Sequence, residues 1–326
     1  MLPDVIEYAH GISAVDSGYH RPRLDAIHLI VENGRVAVVD AGVSHSVPRI
    51  LAALAAKGLP PGQVDYVLLT HIHLDHAGGA GVLMAACPNA RLTVHPRGAR
   101  HMAEPEKLVA GTIAVYGEAT FRRAYGDVLP IPAGRIIETP DGATVTMGGR
   151  TFRFLDTPGH AKHHVAIVDG RSGHVFAGDT FGVSYRELDR DGGRRQFVIP
   201  TTSPVHFEPA AAHRSVERIM AERPAAVYVT HYSQLRDLAR CADALHRGID
   251  AHAALARSVQ DLADGLPHDA RMARLQAGVR GIFLDELARY GAKLAPDDAL
   301  ALYAMDLDLN AQGLASWLDA GAPAGV

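Results

Sequence analysis

The segment Thr70-His71-Ile72-His73-Leu74-Asp75-His76-Ala77-Gly78-Gly79 places three histidines and an aspartate within six residues. By composition, such a string has a chance expectation of roughly 0.005 in a chain of this length. Neutral imidazole is the commonest protein metal ligand. In extended backbone, residues two apart project to the same side. His71 and His73 can therefore grip one ion together, while Asp75 and His76, in the turn that follows, can face a second. The alternative is a cluster of solvated or core histidines, but burying three such groups without partners would be costly. The glycines let the backbone bend closely and open the next helix.

One string supplies only part of two coordination shells, so further ligands are expected at other strand ends. Thr151–Leu155 leads into Asp156-Thr157-Pro158-Gly159-His160, His174–Ala177 into Gly178-Asp179-Thr180, and Ala226–Val229 into Thr230-His231-Tyr232. Each is weak alone, because a lone histidine after a strand is usually a satisfied surface group. Four strand ends carrying His or Asp form a pattern.

These residues need strands to hold them. Ile27–Val31 and Val36–Asp40 are short β-rich runs joined through Asn33-Gly34, the preferred two-residue hairpin turn. Val64–Leu69 is almost continuously apolar, as in a sheet covered on both faces. Arg91–Val94, Ile136–Glu138, Ala143–Thr146, Thr151–Leu155, Val165–Asp169 and His174–Ala177 read as further strands. Ser46–Lys57, Gly81–Ala86 and Pro209–Arg223 read as helices. Residues 96–126 read as mostly helical, interrupted at Gly111 and Gly117. After about Gln234 the pattern becomes helical: Leu235–Leu262, Arg271–Tyr290 and Asp297–Leu318 are apolar at helical spacing, with Gly/Pro breaks between them. The expected organisation is a mixed α/β catalytic domain over residues 1–234 and a helical C-terminal extension over 235–326.

The ordered set THIHLDHAGG, TPGH, GD and VTH resembles the metallo-β-lactamase-fold superfamily of metal-dependent hydrolases, over roughly Val5 to Gln234. The resemblance implies an α/β fold, an αββα four-layer sandwich with the site at the strand ends. It implies one ion held by His71, His73 and His160, a second held by Asp75, His76 and His231, and Asp179 bridging both. Asp40, closing the strand VAVVD, matches a family aspartate that orients a ligand histidine; a simple turn aspartate is the equal alternative. The implied enzyme is a dinuclear metal-dependent hydrolase using a metal-bridging hydroxide, with Asp75 and Asp179 as its catalytic carboxylates. It would cleave an ester, thioester, lactone or phosphodiester bond. A mixed N/O shell without thiolate suits two divalent ions, Zn2+ first and Mn2+ or Fe also compatible.

Within the superfamily, Asp179 stands where the best-known β-lactamase branch offers a cysteine, which argues against antibiotic hydrolysis. His73 stands where the flavodiiron branch carries glutamate. The set instead resembles glyoxalase II-type thioesterases, lactonases and phosphodiesterases, although Gly182 occupies the place of a lactonase tyrosine. A different class stays open: persulfide dioxygenases share the fold but bind one iron through two histidines and the aspartate, and their reaction is oxidative. The C-terminal MDLDLNAQGLASWLDAG resembles the end of a bacterial and archaeal subgroup.

Four other residues are weaker candidates. His164, four beyond His160, reads as packing behind the ligands; Tyr185, His206 and Tyr232 are candidates for substrate contact or proton donation. His163 carries no assignment. The charged segment Phe181–Thr202 reads equally as a loop over the site or a solvated hairpin.

Composition bounds the rest. The chain has 326 residues, 48% hydrophobic and 21% charged, with a net charge of −4. That balance fits a globular protein and disfavours nucleic acid as a partner, as does the absence of a basic run. Cys87 and Cys241 form no Cys-x-x-Cys pair and read as reduced, buried thiols. No signal peptide and no membrane span are evident. The expectation is a cytoplasmic enzyme acting on a small-molecule substrate, with self-association through the helical extension.

Overall fold

A computed structural model describes residues 4–203, 205–261 and 267–321, which divide into two compact units. The first comprises residues 1–156, 163–178 and 224–234, and the second residues 157–162, 179–223 and 235–326.

The first unit carries a seven-stranded sheet in sequential order: β1 (Val5–Glu7), β2 (Ile12–Asp16), β3 (Ala26–Glu32), β4 (Arg35–Val39), β5 (Val64–Leu68), β6 (Arg91–Val94) and β7 (Ile136–Glu138). Strands β1 to β4 pair antiparallel, and β4 to β7 pair parallel. The sequence pattern singles out no strand before Ile27, so β1 and β2 are findings of the structure. A second sheet runs through β8 (Thr144–Met147), β9 (Arg150–Asp156), β10 (Val165–Asp169), β11 (His174–Gly178), β12 (Val227–Val229) and β13 (Ser233–Leu235), the last being another strand the pattern does not announce.

Alternation along the strands builds two cores from one sheet. In β4, Ala37 and Val39 face Phe152, Phe154, Ile167 and Phe176 of the second sheet. Val36 and Val38 point the other way, into a core shared with helices α1 (Val47–Ala56), α2 (Leu74–Ala77), α3 (Ala80–Ala86) and α4 (Pro96–Ala103). Two further helices follow, α5 (Glu106–Tyr116) and α6 (Glu118–Tyr125). Gly117 separates them, as its spacing predicts. Gly111 does not interrupt α5, because a single interior glycine costs only about 1 kcal/mol. The fold is the α/β sandwich of two mixed sheets that the sequence implies, with helices at its C-terminal end.

The second unit is helical: α7 (Pro209–Ala221), α8 (Leu238–Asp261), α9 (His268–Tyr290), α10 (Pro296–Leu302) and α11 (Ala304–Asp319). Leu262, the expected end of the first tail helix, and the break at Gly265-Leu266 lie outside the described residues. The run Asp297–Leu318 is two helices, not one, broken at Tyr303. Tyr303 is buried and its hydroxyl accepts the backbone N–H of Tyr185, at 3.0 Å. The segment Phe181–Thr202 is a hairpin-like loop, bridged at Val183–Ile199 and Arg190–Arg195. Within this unit it is tied to the tail by Tyr290, whose hydroxyl reaches the carbonyls of Leu188 (2.9 Å) and Arg195 (2.8 Å).

Cys87 and Cys241 are free and buried, and burial pushes their thiols up to about 11 and about 12. No helix among the described residues is long and apolar enough to cross a membrane.

Candidate metal centre

Strand β5 lies between β4 and β6, and its continuation delivers the histidine string. Beyond Leu68 the chain makes one more sheet bond, from Leu69 N–H to the Thr93 carbonyl, and then leaves the sheet. Thr70 fixes the exit. Its N–H donates to Oδ1 of Asp40 at 2.8 Å, and its hydroxyl donates to Oδ2 at 2.9 Å. His71 follows outside any helix or strand, His73 begins the single turn of α2, and Asp75 and His76 sit on that turn. His71 and His76 are fully buried, while His73 and Asp75 are half-buried. Ring centroids of His71 lie 4.4 Å from His73 and 4.0 Å from His76.

His231 joins this group from the end of β12. Oδ2 of Asp75 lies 3.7 Å from Nε2 of His76 and 3.7 Å from Nε2 of His231. The ligand atoms of Asp75, His76 and His231 all lie within 4.8 Å of one another.

Both imidazoles are held from behind by carboxylates. Nδ1–H of His76 donates to Oδ2 of Asp40 at 2.9 Å, and Nδ1 of His231 faces Oδ1 of Asp25 at 2.7 Å. A carboxylate at Nδ1 keeps the proton there and leaves the Nε2 lone pair for an ion. The structure thus supplies two oriented nitrogens and one carboxylate oxygen converging in a buried space. This donor set fits a divalent ion of the kind imidazole and carboxylate share.

Asp40 and Asp25 are themselves 1% exposed. Asp40 also accepts the Thr230 hydroxyl at 3.1 Å, so one carboxylate links the exits of β4, β5 and β12. Burial pushes the Asp25 carboxyl up to about 6, with His231 pulling it back down. Sequence reasoning missed Asp25: it is an unremarkable aspartate before a strand, 206 positions from His231. Tyr19 was missed too. It is 7% exposed and stacks on Tyr125, and burial followed by the Asp75 charge holds its phenol well above the usual range.

His164 is buried, with its ring stacked on His71 at 4.8 Å, and the His163 ring lies 5.6 Å from that of His73. Tyr232 is fully buried, and burial raises its phenol above the usual range.

The remaining sequence candidates belong to the second unit. His160 and Asp179 are buried there, with Nε2 of His160 3.5 Å from Oδ2 of Asp179. Nδ1 of His160 is 3.3 Å from the Ser203 hydroxyl. Tyr185 is fully buried, and its hydroxyl donates to Oδ2 of Asp306 at 3.0 Å. His206 is half-buried.

These features coincide with family membership. Residues 22–231 match the model of the metallo-beta-lactamase superfamily, so the chain belongs to it. Its members bind metal ions. Among particular proteins, the chain is similar to the metallo-beta-lactamase fold-containing protein ST1585 of Sulfurisphaera tokodaii. The two are 26% identical over 206 residues, 60% of this chain and 68% of the relative. It is 31% identical to a hydroxyacylglutathione hydrolase of Synechococcus over 149 residues, 46% of this chain and 45% of the relative. The chain thus spans under half the length of that enzyme. Among solved structures, the metallo-beta-lactamase family protein TTHA1429 of Thermus thermophilus superposes with a TM-score of 0.64. It is 21% identical and covers 97% of this chain and 95% of its own, a likeness of fold.

Proposed function

We propose that this chain is a dinuclear metal-dependent hydrolase that cleaves an ester, thioester, lactone or phosphodiester bond in a small molecule. The observation that carries the reading is the convergence of Asp75, His76 and His231, with both histidines oriented by buried carboxylates. In this reading Asp75, His76 and His231 would hold one ion, His71, His73 and His160 would hold the other, and Asp179 would serve both. The continuity of the chain supports the last two assignments. Asp179 directly follows Gly178, the end of β11, and His160 stands four residues past Asp156, the end of β9.

Two divalent ions, Zn2+ first among them with Mn2+ or Fe also compatible, would lower the pKa of a water and polarise the scissile oxygen. The chain's own part is to keep the ligand nitrogens deprotonated and aimed. Asp40 and Asp25 hold protons on Nδ1 of His76 and His231 and away from Nε2. Asp75 and Asp179 supply the negative charge that two cations need. His164, stacked behind His71, limits how that ring can turn. The likeness to a hydroxyacylglutathione hydrolase puts a thioester among the first substrates to try. Residues 1–234 form the catalytic domain in this proposal, and 235–326 form an extension through which copies associate, in the cytoplasm.

The test is metal analysis of the purified protein coupled to a panel of thioester, lactone and phosphodiester substrates. Two ions per chain and turnover lost on chelation are expected. His71→Ala should lower ion content and reduce turnover at least about 1000-fold while leaving the circular dichroism unchanged. One iron per chain with oxygen consumed during turnover would overturn the reading in favour of the oxidative class.

A further inference from the structure

Another group of metal-ligating side chains lies in the second unit, on helices α7 and α8. His213 of α7 and His246 of α8 meet edge to edge with nearly parallel rings, their centroids 4.9 Å apart and planes 9° off. Their Nδ1 atoms are 2.6 Å apart. Two imidazole nitrogens approach so closely only when one carries a proton and the other offers a lone pair. The other side of His213 decides which is which. Its Nε2 lies 2.9 Å from Oδ1 of Asp250, so that nitrogen is the protonated one and donates. Nδ1 of His213 is then the acceptor, and Nδ1–H of His246 donates to it. Asp250 stands four residues beyond His246 on α8, on the same helix face.

A carboxylate behind one imidazole nitrogen, with the opposite lone pair aimed at a second imidazole, is the arrangement that prepares histidine for a metal ion. We propose that His213 and His246 form a binding site for one divalent transition ion of the Zn2+, Ni2+ or Cu2+ class, made of residues outside the seven proposed catalytic ligands. The ion takes both Nδ1 atoms. The proton of His246 moves from Nδ1 to its own Nε2, so no net proton is lost. His213 keeps its Nε2–H on Asp250. Water fills the remaining positions.

The geometry requires little movement. Zn–N bonds of about 2.0–2.1 Å in a tetrahedral site place two nitrogens roughly 3.3 Å apart, so the rings must open by roughly 0.7 Å. Rotation about the side-chain bonds of His213 and His246 is what must supply that opening and aim each lone pair at the ion. The pair is reachable, since the His213 side chain is 24% exposed and that of Asp250 75%. The local charge favours a cation. Glu217, one turn along α7, and Asp243, one turn before His246 on α8, are exposed carboxylates. The neighbouring Arg214 and Arg247 are directed to Glu208 (3.8 Å) and Glu286 (2.9 Å).

The experiment adds one equivalent of Cu2+ to the protein carrying its own ions and records the electron paramagnetic resonance spectrum. Wild type should show coupling to two imidazole nitrogens; His246→Gln and His213→Gln should each show one at most and bind the added ion at least about 10-fold more weakly. Asp250→Asn should weaken binding without removing either nitrogen. Turnover and helical circular dichroism of the three variants should match wild type, which keeps the readout separate from folding and from the catalytic reading. A wild-type spectrum without paired imidazole nitrogens, or variants that bind added Cu2+ as wild type does, would overturn the proposal.

Discussion

Oδ1 of Asp25 lies 2.7 Å from Nδ1 of His231, and on the opposite side of the same ring Nε2 lies 3.7 Å from Oδ2 of Asp75. Asp40 and His76 repeat the arrangement at 2.9 Å and 3.7 Å. Two histidines from different strand ends therefore present the same nitrogen to one carboxylate, each fixed by its own buried acid.

Replacing Asp25 removes the group that holds the His231 proton on Nδ1. If the proposed centre holds, Asp25→Ala should weaken the ion held by His231 by about 10–100-fold, as loss of a supporting carboxylate does at metal centres. Competition titration against a chromophoric chelator measures it, and unchanged metal affinity in the variant would refute the role. The melting temperature of the metal-free variant separates this effect from misfolding.

The relationship also marks where sequence reading ends. Val64–Leu69 announces itself because β5 lies between two parallel neighbours and is apolar on both faces. Asn33-Gly34 announces the β3–β4 hairpin because the turn chemistry is local. His71, His73, Asp75 and His76 are legible as a group because six residues of chain bring them together. Asp25 is not, since only the packing of the two sheets brings the start of β3 beside Thr230, whose carbonyl accepts the Ala26 N–H at 2.8 Å. The break at Tyr303 is hidden for the same reason. It depends on a bond to Tyr185, 118 residues away, and helical periodicity carries no trace of it.

Gly178 closes β11 at a φ of +49°, where an added Cβ would lie 2.7 Å from both Nε2 of His164 and Oγ1 of Thr70. His164 stacks on His71, and Thr70 holds Asp40. Gly178→Ala must push on both, and overpacking with backbone strain costs roughly 1–3 kcal/mol. The melting temperature should fall by roughly 2–5 °C. An unchanged melting curve would mean that the strand end yields more easily than this packing implies.

His252 gives stability a pH dependence. It is 3% exposed on α8, its Nδ1–H donates to the Gly248 carbonyl at 2.7 Å, and burial lowers its pKa to about 4. The unfolded chain takes up that proton near pH 6.5, whereas the folded chain resists until about pH 4. The stabilisation is therefore complete above pH 6.5 and lost as pH falls through that window, by roughly 2 kcal/mol at pH 5. Burial lowers His28 to about 3, with the same sign. Urea unfolding of wild type between pH 7 and 5 should lose stability, and His252→Gln should lose less over the same range. Equal slopes for the two proteins would count against the assignment.

Two helical glycines make a matched pair with opposite outcomes. In α11, an added Cβ at Gly313 would fall 1.5 Å from the Thr202 carbonyl oxygen. That backbone cannot retreat, because Thr202 N–H donates to Oδ1 of Asn310 at 2.7 Å and the Asn310 amide donates to the Pro200 carbonyl at 3.0 Å. Gly313→Ala should thus separate α11 from the 200–202 segment at a cost of about 3 kcal/mol or more. In α5, a Cβ at Gly111 meets nothing within 4 Å. Gly111→Ala gains only helix propensity, up to about 1 kcal/mol. Thermal melting of the two variants side by side should therefore move in opposite directions. A neutral Gly313→Ala would show that α11 reaches its place without the close approach to Thr202.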